Sequence, residues 1–75
     1  MAKTDLRTIL ADNIRRHREK AGVSQDEFAA QCGLHRTYIG SVERRERNVT
    51  LGTLELLAKA TDTSVPTLLT AAGIR

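Results

Sequence analysis

Residues 25–42 read QDEFAAQCGLHRTYIGSV, and the spacing inside this stretch decides the fold. Phe28 and Ala29 are followed by Gly33, then by Leu34, Ile39 and Val42. Two helices that cross closely need a small residue at the crossing, which Ala29 supplies. The sharp turn between them needs a residue that tolerates positive φ, and Gly33 stands there. Leu34, Ile39 and Val42 then hold the second helix of the pair against the first. Six positions agree over eighteen residues, and the pattern predicts a helix-turn-helix unit over about residues 24–45.

Successive residues of the second helix turn by about 100°. With Ile39 and Val42 facing inward, Thr37, Gly40, Ser41 and Arg44 fall on the opposite face, Arg36 lies to one side and Tyr38 sits at the boundary. Short polar residues edged by arginines can enter a major groove, which is about 12 Å wide. An isolated helix of this kind would more simply be the solvated face of a bundle, and the surrounding pattern is what favours DNA. The same wheel puts Glu43 inward, where an unpaired carboxylate is strongly unfavourable. Arg18, one helix earlier, is its expected partner.

Outward from this unit the chain reads as further short helices with turns between them. A first helix is expected over roughly residues 5–21, with Leu6, Ile9, Leu10 and Ile14 at helical spacing and Gly22 as its stop. Ser24 and Glu27 form a capping box for the second, flanked by Val23 and Phe28 at hydrophobic-staple positions. The third begins after His35. The fourth is capped by Thr50 and takes in Leu51, Leu54, Leu56, Leu57 and Ala58. A fifth starts at Ser64, uses Pro66 in its first turn and is expected to reach about Ala72, with Gly73 closing it. No segment alternates like a strand, so the expectation is a compact all-α domain of five helices in one 75-residue unit.

Composition narrows the function. A chain this short buries only about 60% of its unfolded surface, so pairing with a second copy would help it. Ten Lys or Arg face seven Asp or Glu before Asn48, and two of each follow from there on, so the whole excess of positive charge lies on the helix-turn-helix side. One tyrosine and one phenylalanine are too few for the stacking modes that bind single strands. Cys32 has no second cysteine to pair with, which fits a reducing cytoplasm, and its place in the second helix is that of a small core residue. The absence of a long apolar run or a signal-peptide layout gives the same cytoplasmic expectation, without membrane contact. His17, Cys32 and His35 make no four-ligand zinc set, and no phosphate-binding glycine loop or nucleophile motif is present. Neither metal nor cofactor nor enzymatic activity is expected.

With the SQDEFA, VERRERN and LGTLELLAKAT segments in view, the chain resembles the XRE (phage Cro and cI repressor) family over about residues 10–69. Within that family the stretch HRTYIGSVERRERNVTLGTLELLAKA is most similar to controller proteins of restriction-modification systems. The resemblance implies a lambda-repressor-like fold and a homodimer that binds a palindromic double-stranded operator and regulates its own promoter, with RNA polymerase as a further partner. Carried over by position, it puts Arg36 and Thr37 on base edges and Gln25 on a phosphate. Tyr38, Asn48 and Arg47 would lie near phosphates, with Arg47 also reaching toward a base. Arg18 and Glu43 match the family's interhelical salt bridge. Leu51, Val65, Leu68 and Leu69 become dimer contacts, within a dimerisation region of about residues 50–75. His35, Arg44 and Val49 depart from the residues common in relatives and leave the loop geometry open.

The mechanism expected from these residues has Arg36 reading a guanine through O6 and N7. Arg15, Arg16, Arg45 and Arg47 would supply salt-sensitive attraction to phosphates. Two rivals keep the fold: an antitoxin-type regulator that also holds a toxin, and a protein-interaction module that has lost DNA binding.

Overall fold

Side-chain caps mark where the helices begin. The structure, a computed structural model, describes residues 5–74 and contains α1 (Leu6–Ala21), α2 (Gln25–Cys32), α3 (Arg36–Glu43), α4 (Leu51–Ala60) and α5 (Val65–Leu68), with no strand among the described residues. Asp5, Ser24, Thr50 and Ser64 each accept from a backbone N–H two or three residues on. At α2 the exchange is reciprocal: Glu27 N–H donates to Ser24 Oγ at 3.0 Å, and Ser24 N–H donates to Glu27 Oε1 at 2.8 Å. Those donated bonds hold the Glu27 carboxyl below the usual carboxylate range. Gly22 and Gly33 close α1 and α2 with φ of 71° and 72°, the left-handed conformation that costs glycine nothing.

The apolar stripes meet in one core. Ile14, Phe28, Ile39, Leu57 and Leu68 are wholly buried, one or more from each helix, with Ala29 and Val42 packed beside them. Val23, at the staple position, leans on the same cluster. Cys32 belongs to it as well, and burial pushes its thiol up to about 11, so it stays protonated and serves as a small packing residue. α2 packs on α3, α1 on α3, and α4 bridges α2 to α5.

The last helix is shorter than the sequence suggests. It ends at Leu68, and a series of turns carries the chain to Ile74, with Ala72 taking a left-handed φ of 55°. Asn13 of α1, fully buried, explains the difference. Its Nδ2 donates to Leu68 O at 2.9 Å and Thr70 O at 3.0 Å, while its Oδ1 accepts from Ile74 N–H at 3.2 Å. The amide thus takes over carbonyls that further helix would have satisfied. Gly73 then fits where a Cβ would collide with Thr67 O. Asn13→Ala strands these buried groups and is expected to lower stability by about 2–4 kcal/mol, read from the urea midpoint. Asn13→Asp, which presents only acceptors to the two carbonyls, should cost at least as much. A midpoint unchanged by both would show that the C-terminal turns add nothing to stability.

Candidate nucleic-acid interface

The orientation of α3 is set from behind by Glu43, its last residue. Only 1% of the Glu43 side chain is exposed, yet its oxygens are fully partnered. Arg18 grips it with two prongs, Nε to Oε2 at 2.8 Å and Nη2 to Oε1 at 2.9 Å. Gln25 Nε2 donates to Oε1 at 3.2 Å, and Arg15 Nη2 donates to the Glu43 carbonyl at 3.3 Å. One carboxylate therefore ties α3 to both α1 and α2. Burial by itself would raise its pKa, but the hydrogen bonds from Arg18 and Gln25 and the charges of Arg18 and Arg15 outweigh burial and hold it below the usual carboxylate range. The Arg18 guanidinium is correspondingly raised by its bond to Glu43.

A carboxylate depressed in the folded state contributes stability that is present above its unfolded value, about 4.3, and is lost as pH falls through the folded value. Glu43→Gln is expected to be less stable than the wild type near pH 7, with the gap closing as pH drops below about 4. Urea midpoints followed against pH read this directly. A gap that stays constant with pH would mean that the Glu43 charge contributes nothing.

In front of this anchor lies an open groove between the start of α2 and the outer face of α3. It is lined by Arg18, Ser24, Gln25, Arg36, Gly40 and Arg44, among others. Arg36 and Thr37 stand exposed at the N-terminal end of α3. The only ion pair of Arg36 among the described residues is a 3.7 Å contact with Asp26, with both side chains about two-thirds exposed, so the guanidinium is readily released. His35 does act as a cap: its Nδ1 accepts from Thr37 N–H at 3.1 Å, which leaves the ring hydrogen on Nε2. The α3–α4 loop is equally well defined. Arg44 keeps an ordinary φ of −88°, Arg45 takes the left-handed turn at φ 65°, and Val49 packs on the core. Arg45 and Arg47 are exposed there.

The structure does not gather every expected residue at this face. Ser41, expected on the open side of α3, is 6% exposed and lies beneath Arg47, which bonds to it and stacks over the Tyr38 ring. Arg16 points elsewhere: its Nη1 donates to Ile74 O at 3.3 Å, on the side of α1 that meets the C-terminal turns, whereas Arg15 and Arg18 point to α3. Asn48 lines a separate groove with Leu6, Arg7, Val49, Leu54 and Leu69. Gln25 has its amide engaged by Glu43 before any phosphate arrives. Leu68 is wholly buried in the protomer and offers a partner no surface, which removes it from the dimer contacts. Leu51 is 77% exposed, and Val65 and Leu69 are half-buried.

A helix-turn-helix family profile matches residues 14–68, and the chain belongs to that family. It is 59% identical over 71 residues to control protein C.SmaI of Serratia marcescens, across 95% of this chain and 84% of that one. The hypothetical transcription factor NHTF from Neisseria superposes with a TM-score of 0.84 at 45% identity, covering 89% of this chain and 77% of that one. The restriction-modification controller protein C.Esp1396I, solved as a tetramer with its natural 35 base-pair operator, gives a TM-score of 0.76 at 32% identity over 88% and 87% of the two chains.

Proposed function

We propose that this chain is a sequence-specific transcriptional regulator that binds a pseudo-palindromic operator as a homodimer and controls its own promoter, as the restriction-modification control proteins it is similar to suggest. One observation carries the reading: Arg36 and Thr37 stand exposed at the leading end of a helix whose far end is locked by Glu43 to α1 and α2. A reading helix must be both accessible and rigid, and α3 is both. The operator complex of C.Esp1396I supports DNA as the partner.

In this account Arg36 makes paired hydrogen bonds to guanine O6 and N7, and Thr37 meets the neighbouring base edge. Arg15, Arg44, Arg45 and Arg47 draw in the phosphates. Gln25 and Asn48 add polar phosphate contacts at the margins. The dimer forms through the α4–α5 region, with Leu51, Val65 and Leu69 as its apolar contacts. It places two α3 helices about 34–36 Å apart in successive major grooves. Occupying a site beside a promoter brings the dimer to where it meets or obstructs RNA polymerase. No described helix is long and apolar enough to cross a membrane, and the site of action of such a regulator is the cytoplasm.

Hydroxyl-radical footprinting on the DNA upstream of the gene tests this reading. Two protected half-sites one helical turn apart are expected, each losing protection when salt is raised. Uniform weak protection along the fragment would instead fit a binder that ignores sequence.

A further inference from the structure

Ser41 is a buried hydroxyl in mid-helix, and its hydrogen bonding serves something other than the helix. Its Oγ–H donates to Tyr38 O at 2.8 Å, which commits its only proton. The lone pairs that remain face Arg47, whose Nε–H donates to Ser41 Oγ at 2.9 Å. The guanidinium carbon of Arg47 lies 4.8 Å from the centroid of the Tyr38 ring, within range of a cation–π contact. Arg47 itself belongs to the segment between α3 and α4, where an exposed arginine would otherwise sample many rotamers. Ring and hydroxyl together fix it. Only Nε is used in the tether, and among the described residues neither Nη group has a hydrogen-bond partner. The coplanar Nη pair is the part of an arginine that recognises two neighbouring acceptors at once.

We propose that Ser41 is a positioning residue for DNA binding: it holds Arg47 against Tyr38 so that the Nη pair is presented to paired acceptors on the duplex. The inference rests on the DNA-binding reading above. The acceptors are two phosphate oxygens or the O6 and N7 of a guanine, which share the same fork geometry. A purely structural role predicts the opposite stability effect. Serine bonding back to a carbonyl within its own helix gains the helix nothing, and alanine is the better helix former. Ser41→Ala should therefore melt at or above the wild-type temperature and still bind DNA less well.

The test is a double-mutant cycle of Ser41→Ala and Arg47→Ala, titrated by fluorescence anisotropy on upstream and random duplex at one physiological salt. The heteronuclear spectrum of the free protein is recorded in parallel. Ser41→Ala is expected to lose about tenfold in affinity, one tether in each of two protomers, and to lose nothing further in the Arg47→Ala background. The Arg47 Nε–H resonance, slow to exchange in the wild type, should broaden or vanish. Tyr38→Phe keeps the ring and should behave as wild type in that spectrum. Loss confined to the upstream duplex would assign a base edge, and equal loss on both duplexes a phosphate, each upholding the tether. A wild type that binds DNA beside an unaffected Ser41→Ala, or losses that add in the double variant, would overturn the positioning role alone. A wild type that binds no duplex would overturn the DNA-binding reading, and this inference with it.

Discussion

Arg36→Ala is expected to lower affinity for the cognate operator by roughly 30-fold to 10⁴-fold while changing binding to random duplex only a fewfold. The range follows from symmetry. One arginine on a guanine is worth about 1–3 kcal/mol of discrimination, and a homodimer makes the contact twice. Little of that is spent releasing the side chain, because its pair with Asp26 is a 3.7 Å contact between exposed groups. Folding should be untouched, since Arg36 packs on nothing in the core. Arg36→Lys should recover charge and phosphate attraction but not the fork, and so land near alanine on the cognate site. Equal losses on cognate and random duplexes would remove Arg36 as a reader and leave it a phosphate contact.

Leu51→Glu is the second variant with a large expected effect, and it separates dimerisation from folding. Leu51 is 77% exposed in the protomer, so its removal opens no cavity. It is also the first residue of α4, where a negative charge is favourable to the helix dipole. The protomer is therefore expected to melt at or slightly above the wild-type temperature. In the proposed homodimer, a carboxylate brought into the interface from each protomer should nonetheless leave it monomeric. Operator affinity then falls by about 10²-fold or more, because the second half-site is no longer bound at high effective concentration. Sedimentation equilibrium with anisotropy reads both effects. A variant that remains dimeric would move the interface to the other exposed apolar side chains, Leu6 and Leu56.

The helix-turn-helix and the first four helices were legible because local chemistry and core packing agree there. Ser24 and Glu27 cap where the apolar period begins, Gly33 turns where the period breaks, and Ile39 and Val42 face Phe28 across one core. Glu43 could be placed inward from the wheel alone, and its burial then demanded a cation. What stayed hidden depends on residues far apart in sequence. Asn13 looks like one more polar residue of α1, and only the folded chain brings it to Leu68, Thr70 and Ile74, where it ends α5 early. Arg16 is indistinguishable from Arg15 in a count of charges, yet a step of about 100° around α1 sends it to the C-terminal turns and not to α3. Ser41 lies buried, against the wheel, for a related reason. A wheel describes one helix, and it was the following loop, turned by Arg45 at φ 65°, that folded Arg47 over it. Leu68 and Leu69 are neighbours in the sequence, but the first fills the core and the second reaches its edge.

Whether α3 reads a particular sequence is decided by an anisotropy titration of the protein at one fixed physiological salt. One duplex carries the DNA upstream of its own gene and the other a random sequence of the same length. Binding to the upstream duplex is expected to be about a hundredfold or more tighter than to the random one. Equal affinity for the two would mean that α3 reads no sequence.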